Sequence, residues 1–258
     1  MINTLPKISV ITPSLNQARY LEATIRSVLD QEYPNLEYII IDGGSDDGSV
    51  ELIKEYSDRL AYWISEPDEG QTDALIKGFD RATGDVMAWL NSDDLYYTHT
   101  LYEVAETFVR NPQWQVVYGD GLWIDAKGRP IEPKKEIGFN RFIWLYDHNY
   151  IPQPATFWRR GIYEQVGGLS AEWNLAMDAD LWIRFAEHTT LHHIPRMWAL
   201  ARYYPEQKNY RLRDRSNEED ALIRSRYLPF ESLGRRRVKR AAARGLRVAL
   251  KTVRGASW

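Results

Sequence analysis

The feature that most constrains this chain is an alternation of short, β-branched apolar runs with segments of helical spacing through its first 90 residues. The run from Lys7 to Thr12 stops at Pro13-Ser14, the pattern of a buried strand that ends in a loop. Leu21, Ile25, Val28 and Leu29 then recur at helical spacing, and Pro34-Asn35 closes that segment before a second apolar run, Tyr38 to Ile41. A helix over about 49–57, a strand over about 61–65, a helix over about 72–82 and a strand over about 86–90 continue the pattern. Strands that alternate with helices pair in parallel, so the expectation is an α/β fold with a mostly parallel central sheet and helices on both faces. Ligands of such sheets sit in the loops at the carboxyl ends of the strands. Beyond about residue 114 the alternation weakens, with a hairpin expected around Ala126 to Arg129, and a clear helix returns near 178–187.

Composition narrows the setting. The chain has 258 residues, 44% of them apolar, enough for a sizeable core. With no cysteine, disulfides and thiolate metal sites are excluded, and a reducing cytoplasm is the simplest location. Met1 to Thr4 lead straight into the first strand without a basic leader or an apolar h-region, so no secretion signal is expected. No window approaches the ~20 apolar residues that span a bilayer. From Ser232 to Trp258 there are nine Lys or Arg and no acid, so the net charge of −3 divides into +9 for this tail and −12 for the rest. An acidic body argues against nucleic acid as a partner. The tail reads as a basic amphipathic helix over 235–254, with Val238, Ala242, Leu246, Ala249 and Val253 on one side and Arg240, Arg244, Arg247, Lys251 and Arg254 on the other. Two readings fit it: a docking element for an anionic membrane surface, or a helix packed on the acidic body or a partner subunit. Ten Trp residues suit sugar stacking and an ordinary core equally well.

Three clusters carry chemistry. In Leu90 to Asp94 an apolar strand runs directly into two adjacent carboxylates. Like charges at a strand end repel, and are tolerated when solvated or balanced by a cation; Mg²⁺ or Mn²⁺ suits such a pair, while a solvated turn with a helix N-cap is the plain alternative. Asp42 to Ser49 follows the second strand, with glycines that permit close approach of a ligand and an Asp42 able to accept from a base N–H. It lacks dinucleotide-fingerprint spacing and is equally an ordinary turn. Met177 to Asp180 opens the later helix, where acids serve as caps or, in a transferase, as a general base. His192 and His193, adjacent in a strand, point to opposite faces and read as structural.

Together these clusters resemble the family 2 glycosyltransferases of the GT-A fold over roughly residues 7–209. The likeness rests on Ser9 to Ser14 with Asn16, Asp42 to Ser45, Ser65 to Asp68, Asp73-Ala74 with Lys77-Gly78, Leu90 to Asp94, Gln153 to Thr156 and Met177 to Trp182, all in the family's order. It implies that Pro13 and Asp42 lie against a nucleotide base, with Gln71 a further candidate there. Asp93 would face the ribose or sugar, and Asp94 would bind a Mn²⁺ or Mg²⁺ ion that holds the diphosphate. Asp178 would be the general base, and Gln153 to Thr156 would border the donor sugar and acceptor cleft. Arg202 and Lys208 are candidate diphosphate contacts, or plain surface charge. Two departures stand out: Met177 replaces the usual acid before the base, and Tyr204 stands where relatives often carry histidine, a better ligand at neutral pH.

The resemblance implies an inverting transfer of a sugar from a nucleotide diphosphate, a UDP-sugar first among them, to a saccharide or polyprenyl-linked saccharide in cell-envelope or exported polysaccharide synthesis. It divides the chain into a nucleotide-sugar-binding half (1–120), an acceptor-binding half (121–232) and the basic tail (233–258), and leaves room for a homodimer. The enzyme would be cytoplasmic, free or at the inner face of the plasma membrane. The competing readings are a sugar nucleotidyltransferase, disfavoured because the loop after the first strand has no glycine, and a noncatalytic scaffold of the same fold.

Overall fold

The computed structural model describes residues 5–255; the opening at Met1 to Thr4 and the last three residues of the tail lie outside them. In chain order the elements are β1 (Ile8–Ser14), α1 (Ala18–Leu29), β2 (Leu36–Asp42), α2 (Ser49–Glu55), β3 (Tyr62–Ser65), α3 (Gln71–Arg81), β4 (Val86–Trp89), β5 (Leu95–Tyr96), α4 (Thr100–Arg110), β6 (Val116–Ile124), β7 (Pro130–Lys134), α5 (Arg141–Tyr146), β8 (Thr156–Arg159), α6 (Arg160–Gln165), α7 (Met177–Ala186), β9 (Leu191–Arg202), α8 (Lys208–Arg211), α9 (Arg213–Tyr227) and α10 (Leu233–Val253). One sheet runs through the molecule in the order β3-β2-β1-β4-β8-β6-β9-β5, with β7 paired to β6.

β1 to β4 pair in parallel, and their carboxyl ends align: Ser14 lies opposite Asp42, and Asp42 opposite Ser65. Period-two alternation then splits the side chains. Ile11, Ile39, Ile41, Met87 and Trp89 enter one core, while Ile8, Val10, Tyr38, Ile40, Val86 and Ala88 enter the other, as strands covered on both faces require. Past β4 the sheet becomes mixed: β8 is antiparallel to both β4 and β6, whereas β9 runs parallel to β6 and antiparallel to β5. The expected division at residue 120 falls inside β6, so the two halves share a sheet.

Five tryptophans (Trp89, Trp144, Trp158, Trp182 and Trp198) are less than 2% exposed and belong to the core. Trp89 of β4 stacks on Trp182 of α7 with centroids 5.7 Å apart, and Trp158 of β8 meets Trp89 edge-on at 5.5 Å. These contacts fasten α7 over the end of β4 and so set the distance between the carboxylates that follow Leu90 and those that open α7. His192 stacks on Trp114 at 3.9 Å and His193 bonds to Asp120 at 2.8 Å, separate structural partners for the adjacent pair.

Candidate active site

Two connected clefts lie over the carboxyl ends of the strands. The larger, about 650 Å³, is lined by Pro13, Ser14, Asp68, Gln71, Asp93 and Lys208 among others. The smaller, about 320 Å³, is lined by Asp94, Gln153, Asp178, Arg202 and Tyr203 among others, and shares Gln71, Asn91 and Gln207 with the first. A chain of amides forms their common floor. Lys208 Nζ donates to Gln71 Oε1 (3.2 Å), Gln71 Nε2 to Asn91 Oδ1 (2.8 Å), and Asn91 Nδ2 to Gln153 Oε1 (3.1 Å) and Asp94 Oδ2 (3.2 Å).

Asp93 and Asp94 sit where β4 runs out into a tight turn. Asp94 N–H donates to Asn91 O (3.0 Å), and Thr24 Oγ1 of α1 lies 2.9 Å from Ser92 O and 2.8 Å from Asp94 O. Both carboxylates are buried, at 8% and 4% exposure. Burial raises the Asp93 carboxyl above its usual range; burial together with the neighbouring Asp93 charge raises Asp94 well above it. Asp94 accepts from the Arg202 backbone N–H (2.8 Å) as well as from Asn91, whereas Asp93 takes both of its side-chain bonds, from Tyr204 Oη (2.9 Å) and Gln207 Nε2 (3.4 Å), on Oδ2. Tyr204 therefore acts as a clamp on Asp93, and it is itself packed on Tyr20 with centroids 5.0 Å apart.

Arg202 was expected at a diphosphate. Its guanidinium instead donates to three backbone carbonyls, Asp93 O (2.9 Å), Asp125 O (3.1 Å) and Ala126 O (3.3 Å). Two buried carboxylates thus share a site whose nearest cation is directed at carbonyl oxygens. Arg202 offsets their charge only in part, and two carboxylates are hard oxygen donors of the kind that suits a divalent cation such as Mg²⁺ or Mn²⁺.

Asp42, expected against the base, is fully buried within its own loop. It accepts from Gly44 N–H (3.1 Å), Ser45 N–H (2.8 Å) and Ser65 Oγ (2.7 Å) on Oδ2 and from Ser45 Oγ (2.6 Å) on Oδ1. Asp68 is one of the acids that line the large cleft, and it comes close to this loop because Gly43 lacks a side chain: a Cβ there would stand 2.6 Å from Asp68 Oδ2. Ser14 and Tyr20 line the same cleft, and their hydroxyl oxygens, themselves buried, have no hydrogen-bond partner among the described residues. Pro13, Gln71 and Lys208 do line this cleft, and burial lowers the Lys208 ammonium from its usual value.

Asp178 faces the small cleft from the first turn of α7. The loop that delivers it is held by α9, where Glu219 Oε2 accepts the N–H groups of Asn174, Leu175 and Ala176 at 3.2, 2.8 and 3.0 Å. Burial pushes the Asp178 carboxyl up to about 6, against a 3.1 Å hydrogen bond from Asn149 Nδ2. Asp180, two residues on, points elsewhere and pairs with Arg184 at 2.6 Å. Asn149, Tyr20, Asp68 and Glu219 escaped the sequence reading as site residues, since nothing local marks an isolated Asn or Glu as the partner of a residue tens of positions away.

A strand-end carboxylate pair over a split cleft, on a sheet of this order, defines the GT-A class of nucleotide-sugar transferase. The chain belongs to the glycosyl transferase family 2, whose model matches residues 9–167, more than half of it. It is 29% identical over 187 residues to an uncharacterised glycosyltransferase of Mycobacterium tuberculosis, covering 72% of this chain and 71% of that one. It is 30% identical over 183 residues to a PGL/p-HBAD biosynthesis glycosyltransferase of Mycobacterium bovis, covering 69% of each. Among solved structures, the 1–349 fragment of S. aureus TarS in complex with UDP superposes with a TM-score of 0.67 at 16% identity, covering 92% of this chain and 70% of the fragment. Mannosyltransferase PcManGT from Pyrobaculum calidifontis, in complex with GDP-Man and Mn²⁺, gives 0.67 at 16%, covering 93% and 70%. The chain spans 37% of the length of the longer TarS chain, and these structural likenesses establish the shared GT-A fold.

Proposed function

We propose that this glycosyltransferase uses a divalent cation at Asp93 and Asp94 to hold a nucleotide diphosphate sugar, and transfers the sugar with inversion to an acceptor hydroxyl. The observation that carries the reading is the pair of buried carboxylates without a direct countercharge, set between two clefts, with a third carboxylate of raised pKa in the smaller one. The larger cleft takes the nucleoside, with Pro13 as an apolar wall and Asp68 and Gln71 as polar partners. Lys208 lies near enough to Gln71 to face phosphate charge from the rim. Asp178 takes the proton of the acceptor hydroxyl as the new C1–O bond forms and the bond to the leaving phosphate oxygen breaks, its electron pair departing with the diphosphate. The bound ion would neutralise that developing charge. Tyr204 and Arg202 hold the Asp93-Asp94 turn in register. Asp42 keeps the Gly43 to Ser45 loop folded so that Asp68 reaches the cleft.

A UDP-sugar donor is the first candidate, in line with the UDP bound by the TarS fragment, and a lipid-linked or polymeric saccharide of the cell envelope is the acceptor class. A thermal-shift panel of UDP-, GDP- and dTDP-sugars with and without Mn²⁺ tests the donor: a match at 100 times its dissociation constant adds ~2.7 kcal/mol. Asp93→Asn and Asp94→Asn should each abolish most of the metal enhancement of UDP affinity. Unchanged enhancement in both variants would remove the cation from this pair.

A further inference from the structure

α10 lies on the body through the buried Ala243 and through a set of basic side chains that includes the buried Lys251. Lys239 pairs with Glu231 (2.6 Å), Arg247 with Asp147 (2.5 Å), Lys251 with Glu136 (2.8 Å) and Arg254 with Asp120 (3.2 Å). A helix on the surface of a water-soluble domain ordinarily does the reverse and buries its apolar stripe. Here Val238 (70% exposed), Leu246 (40%) and Val253 (87%) face outward, with Ala242 and Ala249 exposed between them. Their spacing puts the five in one row. Leu233 at the start of the helix is 75% exposed, and Phe230 before it is fully so. Ten of the fourteen exposed large apolar side chains among the described residues lie between Tyr210 and Val253, so this is concentration rather than the usual scatter.

The exposed charges of the helix have one sign. Arg235, Arg237, Arg240 and Arg244 are exposed and have no carboxylate partner among the described residues, and no acid occurs from Ser232 onward. The rest of the chain carries −12.

We propose that the outward face of α10 docks this protein on an anionic phospholipid bilayer. An exposed apolar row on a helix with exposed, unpaired arginines, Arg235 beside the row and Arg237, Arg240 and Arg244 across the helix from it, is what a lipid surface of negative charge selects, the row entering the headgroup boundary while the long guanidinium side chains reach the phosphates. The acidic body is repelled by the same surface, which leaves a single orientation for attachment. Shape agrees: the row follows one side of a helix about 30 Å long, which a planar fluid surface meets along its whole length. The basic side chains that would ordinarily be counted toward membrane attraction, Arg247, Lys251 and Arg254, instead fix the helix so that its apolar row is presented.

The test is flotation of the full chain with vesicles of phosphatidylcholine alone or with 30 mol% phosphatidylglycerol, at low and at 0.5 M salt. Binding is expected on the anionic vesicles at low salt, with at least a tenfold loss in a Val238→Ser, Leu246→Ser, Val253→Ser variant. Reversing Arg237 and Arg244 to Glu should cost about fivefold or more per residue. Thermal melts and donor affinity, both unaffected, verify that the variants are folded. Absence of anionic-vesicle binding by the unaltered chain overturns the proposal, as does equal binding by the triple Ser variant. A concentration-dependent dimer in gel filtration that the triple Ser variant dissolves would overturn it in favour of a second copy as the occupant.

Discussion

Asp178 is the residue on which sign and magnitude can be worked out most fully. Burial holds its folded carboxyl near about 6, while an unfolded aspartate titrates near ~4. Between those values the folded chain binds the extra proton, so stability falls as pH rises through the window and the full cost is present above 6. Asp178→Asn should therefore raise stability at pH 7.5 by on the order of 2 kcal/mol and have no such effect at pH 4, readable as a difference in melting temperature. Catalysis runs the other way. A general base works only when deprotonated, so turnover should rise with pH through about 6 and then level, and Asp178→Asn should slow it ~10²–10⁴-fold while UDP affinity stays near the parent value. A variant that is stabilised but still turns over normally would strip Asp178 of its role without disturbing the structural account. The trade between stability and activity at one carboxylate is typical of a site whose environment is arranged for chemistry.

At the scale of elements, the contact between α3 and β1 shows how closely the sheet is covered. Gly78 of α3 lies against Ile11, and a Cβ added there would stand 2.5 Å from Ile11 Cγ2. Gly78→Ala should overpack this layer and cost ~1–3 kcal/mol in chemical denaturation, more than offsetting the better helix propensity of alanine. A neutral or stabilising result would mean that α3 can lift from the sheet without loss. The first four strands and their helices were legible in the sequence because each buries residues at its own period: Leu21, Ile25, Val28 and Leu29 are all buried along α1, as their spacing requires. Past them, the hairpin expected around Ala126 to Arg129 is the β6–β7 pair, but the pairing of the other later strands was not legible. β8 joins β4 and β6 through pairs such as Met87 with Trp158 and Val117 with Phe157, and β9 lies beside β6 through Val117 with His192, separations that no local pattern encodes. The site followed the same division. Asp93, Asp94 and Asp178 stand out as candidates in the sequence because carboxylates at strand and helix ends are conspicuous, whereas the bonding that closes Asp42 within its loop depends in part on Ser65 of the neighbouring strand.

Across the whole molecule, α10 and the candidate base are joined by one short segment. Arg247 pairs with Asp147 and, two residues later, Asn149 donates to Asp178 Oδ2 at 3.1 Å. Arg224 of α9 fastens the same segment by donating to the carbonyl of Asp147. The two faces of the basic helix could be read from spacing, but which of them turns inward could not, because its partners Glu136, Asp147 and Asp120 are scattered across elements that the periodicity left undefined. Arg247 and Asp147 are only 14% and 16% exposed, so loss of the guanidinium leaves a largely buried carboxylate poorly compensated. Burial alone would raise the Asp147 carboxyl; the Arg247 hydrogen bond brings it below its usual value, and the pair therefore contributes stability at neutral pH that is lost in acid. Arg247→Met should cost ~2–4 kcal/mol at pH 7. If the segment from Asp147 to Asn149 transmits that loosening, Asp178 loses the N–H that favours its charged form, and the acidic limb of the turnover profile moves above about 6. Turnover near that pH should then fall roughly five- to tenfold, while donor affinity, which depends on the opposite cleft, is unchanged. The Asn149→Leu variant should reproduce the shift in the acidic limb without the loss of α10 stability. An Arg247→Met protein whose pH profile coincides with the parent's would separate the basic helix from catalysis, and leave it as an anchored surface element alone.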